Sequence, residues 1–103
     1  MPFEGRHVHK NEAAGRYELH DGAGHLLGIA DYRMHGRVMV LPHTEIDVEH
    51  RGQGLGAVLV RAVLDDVRAT SRTVDPRCWF VAAFIRQHPE YRDLVADHGV
   101  EVA

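Results

Sequence analysis

Three side chains of this sequence could move a proton or form a covalent bond with a substrate: His43, Glu45 and Cys78. Histidine titrates nearest to neutral pH, and a carboxylate within reach can act as a general base. A cysteine thiolate can accept an acyl group and pass it on. Each residue also has a plainer interpretation, namely a surface histidine, a solvated strand carboxylate and a small buried cysteine.

Cys78 follows a signal for the start of a helix. Asp75 fits the N-cap position and Pro76 the first helical position, which would place Cys78 at N3, in the first turn. A helix N-terminus favours the thiolate form of a cysteine, whereas the charge of Asp75 opposes it. A thiolate near His43 could carry a group covalently, and direct transfer between two bound reactants is the simpler alternative.

A glycine-rich segment provides the strongest indication of a binding site, and it reads Arg51-Gly52-Gln53-Gly54-Leu55-Gly56. Alternate glycines leave the backbone open to close approach. The helix that follows directs its unpaired N–H groups and positive dipole end to the same place, which suits a phosphate, and Arg51 could add a charged fork. The spacing fits neither the dinucleotide fingerprint nor the Walker loop. The alternative is a tight turn whose glycines serve geometry alone.

These residues would be positioned by strands in the first half of the chain and by helices in the second half. Period-two alternation and turn residues predict strands at 6–10, 16–20, 26–34 and 37–48. In the last strand Pro42 cannot donate to a ladder, so we expect a bulge or bend that splits the element in two. Simple alternation puts one set of residues on a single face: Met39, Leu41, His43, Glu45 and Asp47.

The second half of the chain predicts an amphipathic helix at 55–67, a short strand at 71–74, a helix at 77–87 and a short final helix at 89–95. Trp79, Phe80 and Phe84 are interpreted as core or cleft wall rather than as residues that read a substrate. The order of elements predicts an α+β fold, with a mixed, mostly antiparallel sheet flanked by helices. We expect residues 1–103 to form one domain.

The amino-acid composition argues against several classes of function. The net charge of −3 and the scattered basic residues argue against a nucleic-acid partner, and no apolar stretch is long enough to span a membrane. The single cysteine excludes an internal disulfide framework, so a cytoplasmic setting is expected. The pair His7 and His9 lacks a third ligand nearby, so no metal site is predicted.

The pattern Arg51-x-x-Gly54-x-Gly56 matches the R/Q-x-x-G-x-G/A signature of the GNAT (GCN5-related N-acetyltransferase) superfamily. Together with His43-Thr44-Glu45-Ile46, Pro76-x-Cys78 and Pro89-Glu90-Tyr91, it resembles a small single-domain subfamily, the YjdJ-like and NATD1-like N-acetyltransferase-domain proteins. The resemblance runs from about residue 8 to residue 95, which is most of the chain.

This resemblance implies that acetyl-CoA binds where two strands of the sheet splay apart. The backbone of Ile46 and Val48 would meet the pantetheine arm, and the loop would hold the pyrophosphate on the amides of Arg51, Gly52, Gln53, Gly54, Leu55 and Gly56. An acetyl group would then move to an amine on a small molecule or a protein. Glu45 lies where larger members often carry a base, and Tyr91 could be a general acid or a packing residue.

Larger members have helices between the first two strands, whereas only residues 11–15 separate them here. The acceptor side should therefore be open, which suits an exposed amine on a macromolecule. It also suits the alternative function, a non-catalytic regulatory module that binds CoA or acetyl-CoA. We expect a monomer or a weak homodimer.

Overall fold

The computed structural model describes residues 5–96, so the predicted domain over residues 1–103 extends beyond the described part at both ends. Its strands are β1 His7–Asn11, β2 Arg16–His20, β3 Leu26–His35, β4 Val38–Ile46 and β5 Thr73–Asp75. Its α-helices are α1 Leu55–Ala69 and α2 Trp79–Gln87, and two 3₁₀ segments cover Val48–His50 and Pro89–Leu94. The α+β fold class is confirmed.

The five strands form one sheet in the order β1-β2-β3-β4-β5. The first three pairings are antiparallel and connected by short turns, as the glycine-containing turns of the sequence predict. The pairing of β4 with β5 is parallel, and helix α1 makes the crossover that a parallel pair requires. The sheet is therefore mixed and mostly antiparallel, as expected.

A bulge interrupts the ladder between β3 and β4. Asp31 pairs with His43 and Arg33 pairs with Val40, so two residues of β4, one of them Pro42, lie opposite a single residue of β3. The predicted bulge at Pro42 is confirmed. The prediction that it splits the element in two is wrong, because a bulge absorbs one extra residue while the strand continues past it.

The bulge reverses the alternation of side chains along β4. Thr44 contacts Cys78, the N-cap of helix α2, and Ile46 packs against the core, so both lie on the helix-covered face together with the buried Leu41. His43 and Glu45 consequently lie on the opposite face of the sheet. The prediction that they share a face with Leu41 is wrong, since a period-two count does not carry across a bulge.

One apolar cluster lies between the sheet and the two helices. Helix α1 buries a stripe at helical spacing, formed by Leu55, Leu59, Val60, Val63, Leu64 and Val67. Helix α2 contributes Val81, Phe84 and Ile85. In the described part of the chain neither helix covers the other sheet face, which carries the polar side chains of β2. The predicted helix at 55–67 is confirmed and extends to Ala69.

The predicted start of the second helix is wrong. Asp75 belongs to β5, where it pairs with Val40, so it cannot serve as the N-cap. Cys78 is the N-cap instead, with extended backbone angles of φ −71° and ψ 127°, and the helix starts at Trp79. Pairing in the sheet therefore takes precedence over a local capping signal. Within residues 5–96, no helix combines the length and the apolar character needed to cross a membrane.

Candidate active site

A cleft opens where β4 and β5 part. Their pairing ends at Val40 and Asp75, whereas β4 continues for six more residues along its length. The start of α2 lies across this gap, and the N–H of Cys78 donates to the carbonyl of Leu41 at 2.9 Å. The cleft has a volume of about 1080 Å³ and is lined by the second half of β4, the glycine-rich loop and both helices. It is the splayed-strand cleft that the resemblance predicts.

The glycine-rich loop forms one end of the cleft. Gly52 and Gly54 have positive φ angles of 85° and 76°, in the left-handed region that favours glycine. A Cβ atom on either would meet no heavy atom of residues 5–96 within 4 Å, so the space in front of this backbone is open. Gly54 is the N-cap of α1 and supplies no capping side chain. The first N–H groups of α1 are therefore available to an anion.

Gly56 serves a different purpose from the other two glycines. It lies in the first turn of α1, and a Cβ atom there would come within 2.7 Å of Cζ of Phe80. The glycine lets the start of α1 approach the ring from α2, so the loop and the opposite wall of the cleft are held together. Gln53 lies between the two left-handed glycines and is exposed.

Arg51 and the end of β4 are joined directly. The Nε of Arg51 donates to the carbonyl of Ile46 at 3.1 Å. The strand ends at Ile46, so the predicted strand as far as Val48 is too long by two residues. Val48 begins the 3₁₀ segment and is 69% exposed, and it is not among the residues that line the cleft. Ile46 lines the cleft.

The three candidate catalytic residues all line the cleft, but they form two separate groups. His43 and Glu45 contact each other, with 3.1 Å between Nε2 and Oε1, and more than half of each side chain is exposed. The buried thiol of Cys78 instead contacts Thr44, with 3.8 Å between Sγ and Oγ1. Thr44 is a site residue that the sequence analysis missed, because only the bulge turns it towards α2.

The charges in the cleft are separated along its length. Arg51 and the N-terminus of α1 make the loop end positive. Arg77 on the α2 side donates from Nε to Asp75 at 2.8 Å, so its charge is balanced by a buried carboxylate. Glu45 lines the β4 side of the cleft, with its side chain on the sheet face away from the helices. The arrangement can hold a phosphate group at the loop end.

Tyr91 lies apart from this cleft. Its hydroxyl donates to Asp65 at 2.7 Å and accepts from Arg61 at 3.2 Å, and the ring is buried. Burial, and then the neighbouring carboxylate, raise the pKa of Tyr91 above its ordinary value. Tyr91 is not among the residues that line the cleft, so the structure supports the packing interpretation of this residue.

A second polar cluster lies on β1 and β2, on the sheet face opposite the helices. The carboxylate of Glu18 accepts hydrogen bonds from His20, Arg16 and Asn11 at 3.0, 2.8 and 3.0 Å. These hydrogen bonds lower the pKa of Glu18 to about 2, and the bond from His20 has the largest effect. Among residues 5–96, no group of three or more His, Cys, Asp or Glu side chains could hold a metal ion.

The fold and the cleft together define a class of protein, and comparison with known families agrees with it. The chain belongs to the family described as GCN5-related N-acetyltransferase, whose sequence model matches residues 16–94. The resemblance drawn from the glycine-rich loop is thereby confirmed.

Its similarity to individual proteins covers less of the chain. It is 32% identical to Protein NATD1 of Bos taurus over 53 residues, which cover 52% of this chain and 47% of that protein. It is 30% identical to Protein NATD1 of Homo sapiens over 53 residues, with coverage of 52% and 47%. The chain thus spans about half the length of the curated relatives that it matches.

The fold also has a solved counterpart. The structure of a GCN5-like protein from Staphylococcus aureus, determined by NMR, superposes with a TM-score of 0.69 and covers 90% of each chain. The two sequences are 21% identical, so this likeness concerns the fold.

Proposed function

We propose that this protein is an acetyl-CoA-dependent acyltransferase that moves an acetyl group to an amine. The observation that carries the proposal is the cleft of about 1080 Å³ that ends at the exposed backbone of Gly52, Gly54 and the first turn of α1. A helix N-terminus with open space in front of it suits a pyrophosphate. Bound acetyl-CoA would supply an acetyl group activated as a thioester.

The binding residues would act mainly through their backbone. The N–H groups of Gly52, Gln53, Gly54, Leu55 and Gly56 would hold the pyrophosphate, and the guanidinium of Arg51 would add charge-assisted hydrogen bonds. Ile46, which lines the cleft, would meet the pantetheine arm through its backbone groups. Since a carbonyl oxygen has two lone pairs, Ile46 can keep its bond from Arg51 and accept a second one.

Two residues on the sheet would prepare the amine. An amine attacks only after it loses its proton, and the contacting pair His43 and Glu45 can take that proton and pass it to water at the open side of the cleft. Cys78 has two possible roles: its thiol can carry the acetyl group, or it can form the wall past which direct transfer occurs. The hydroxyl of Thr44 would position that thiol in either case.

Binding of the coenzyme can be tested before any acceptor is known. We expect titration with CoA to shift the backbone amide signals of residues 51–56 in ¹⁵N-resolved spectra, and calorimetry to give a dissociation constant in the micromolar range. Unmoved loop amides and no heat of binding would exclude both the transferase and a CoA-binding module.

Turnover separates the enzyme from the alternative, a non-catalytic module that binds CoA. Incubation with labelled acetyl-CoA and a panel of amines, peptides and thiols should label an acceptor, and Glu45→Gln should slow labelling by about 10²-fold or more. Binding without labelling or hydrolysis above background would favour the module. Mass spectrometry of quenched mixtures would detect acetyl on Cys78 in the covalent route.

We expect the reaction to take place in the cytoplasm. The chain has a single cysteine, which is typical of proteins that work in a reducing cytoplasm. The acceptor would be a small amine or an exposed amine on a protein, and the protein would act as a monomer or a weak homodimer formed from one domain.

A further inference from the structure

We propose that His50 binds a phosphate group of the coenzyme, and that its protonated ring makes CoA bind more tightly in mildly acidic solution. This inference rests on the proposed acyltransferase function and adds a binding residue and a pH dependence to it. His50 is absent from the site residues predicted from the sequence.

His50 lies at the loop end of the cleft. It is the last residue of the 3₁₀ segment and directly precedes Arg51, and it lines the cleft together with Gly52 and Gly54. Its backbone N–H donates to the carbonyl of Asp47 at 2.8 Å, so the side chain starts from a fixed backbone. The imidazole is therefore held next to the glycine backbone that would bind the pyrophosphate.

The two nitrogens of the His50 ring have different surroundings. Nδ1 is enclosed by the protein, makes no hydrogen bond within residues 5–96, and lies 3.4 Å from Oδ2 of Asp47. The side chain is nevertheless 35% exposed. The exposed part lies away from Nδ1, on the edge of the ring that carries Nε2, so Nε2 is the nitrogen available to a ligand in the cleft.

Protonation gives each nitrogen of this ring a partner. The carboxylate of Asp47 is anchored, because its Oδ1 accepts from the N–H of Glu49 at 3.3 Å while its Oδ2 faces the ring of His50. A protonated imidazole has a donor on both nitrogens, so Nδ1–H can pair with Asp47 while Nε2–H is donated to a phosphate oxygen. A neutral ring has one proton and can supply only one of these two bonds.

The ionisable groups around His50 come from four parts of the chain. Asp47 and Glu49 belong to its own segment, and Arg51 is the second cation at the loop end, where its Nε donates to a carbonyl. The ionisable side chains that line the cleft from the β4 side and the α2 side are His43, Glu45, Arg77, Cys78 and His88. Histidine titrates near about pH 6.5, so a phosphate at the loop end gains a second cation as the pH falls below that value.

The test measures coenzyme affinity by calorimetry on the full chain, between about pH 5.5 and about pH 8. Two probes identify the phosphate, because dephospho-CoA keeps the pyrophosphate of CoA and lacks the 3′-phosphate. The affinity of the native chain, relative to that of His50→Gln, should rise about fivefold towards acid, as expected for one charge-assisted hydrogen bond from a partly exposed ring. A rise with both probes assigns His50 to the pyrophosphate, and a rise with CoA alone assigns it to the 3′-phosphate.

A second histidine variant and a second readout provide the controls. His88→Gln removes an imidazole from the α2 side of the same cleft and should keep the pH dependence of the native chain. NMR titration of the His50 imidazole needs no variant. Saturation with CoA should raise its titration midpoint by about 0.7, which is the same fivefold effect on a logarithmic scale, because proton binding and coenzyme binding strengthen each other equally.

The outcomes separate this inference from the proposed function. If CoA binds with the same pH dependence to His50→Gln and to the native chain, or if the His50 midpoint does not move, the inference is overturned and the acyltransferase proposal stands. The same holds if His88→Gln abolishes the pH dependence. If neither coenzyme binds at any pH, both proposals fail.

Discussion

The backbone of Gly56 in α1 lies against the ring of Phe80 in α2, so closely that a Cβ atom would come within 2.7 Å of Cζ. Helix α1 carries the glycine-rich loop at its start, and α2 forms the opposite wall of the cleft. The width of the cleft thus depends on a residue that has no side chain at all.

Gly56→Ala should lower the free energy of unfolding by about 1 kcal/mol. Two effects oppose each other, because the methyl group gains about 1 kcal/mol of helix propensity and costs about 1–3 kcal/mol through overpacking against the ring. Urea denaturation measures the net change. In a Phe80→Leu background the ring is gone, so the same substitution should become stabilising. An equal effect in both backgrounds would contradict the contact.

Gly54 offers a prediction about ligand binding with a matched control. Gly54 and Gly36 both have positive φ angles, 76° and 63°, and a Cβ atom on either would meet nothing within 4 Å in residues 5–96. Substitution should therefore cost each about the same strain, roughly 1–2 kcal/mol. Gly54→Glu should also place a carboxylate in the proposed phosphate cradle and weaken CoA binding more than tenfold, as measured by calorimetry. Equal affinities for Gly54→Glu and Gly36→Glu would contradict the cradle.

The lowered pKa of Glu18 predicts how the stability of the folded protein changes in acid. Its pKa is about 2 in the folded protein, below its ordinary value of 4.5, because hydrogen bonds from His20, Arg16 and Asn11 favour the carboxylate. A lowered pKa contributes stability that is fully present above 4.5 and is lost as the pH falls towards 2. The melting temperature should fall through this range. Glu18→Gln should be less stable at pH 6 and should show a shallower fall, and a slope equal to that of the native chain would exclude the mechanism.

The raised pKa of His20 predicts how the stability of the folded protein changes near neutral pH. Its pKa is raised above the ordinary value of 6.5, first by the hydrogen bond to Glu18. A raised pKa contributes stability that is present below pH 6.5 and is lost as the pH rises through the folded-state value. NMR titration of the imidazole should show a midpoint above 6.5, and Glu18→Gln should lower it. The other imidazole signals report whether the variant keeps its fold, and an unmoved His20 midpoint would contradict the pairing.

Much of the fold follows from patterns that span a few residues. Periodicity identifies α1, β2 and β3, and glycine-containing turns place the breaks between strands, because each signal depends on neighbours within one or two turns of chain. The glycine-rich loop could be located for the same reason, since it lies where one strand ends and one helix begins. The family resemblance depends on these same local motifs.

The grouping of the site residues could not be read in this way. The extra residue at Pro42 turns Thr44 towards α2 and His43 away from it. The bulge arises from the register in which β4 pairs with β3, which the sequence of β4 does not show. Cys78 is the N-cap because Asp75 is held in β5 by β4, which lies far away in sequence. Local capping propensity favours Asp75 as the N-cap. The pairing of Asp75 in the sheet outweighs that preference.

By itself, then, the sequence determines the elements, their order and the place of the glycine-rich loop, since short-range sterics and the spacing of apolar side chains decide them. The tertiary structure alone decides that Cys78 faces Thr44, that His43 and Glu45 lie on the opposite face of the sheet, and that Gly56 lies against Phe80. These relations depend on strand register and on contacts between distant segments, which are fixed only when the sheet and the helices pack against each other.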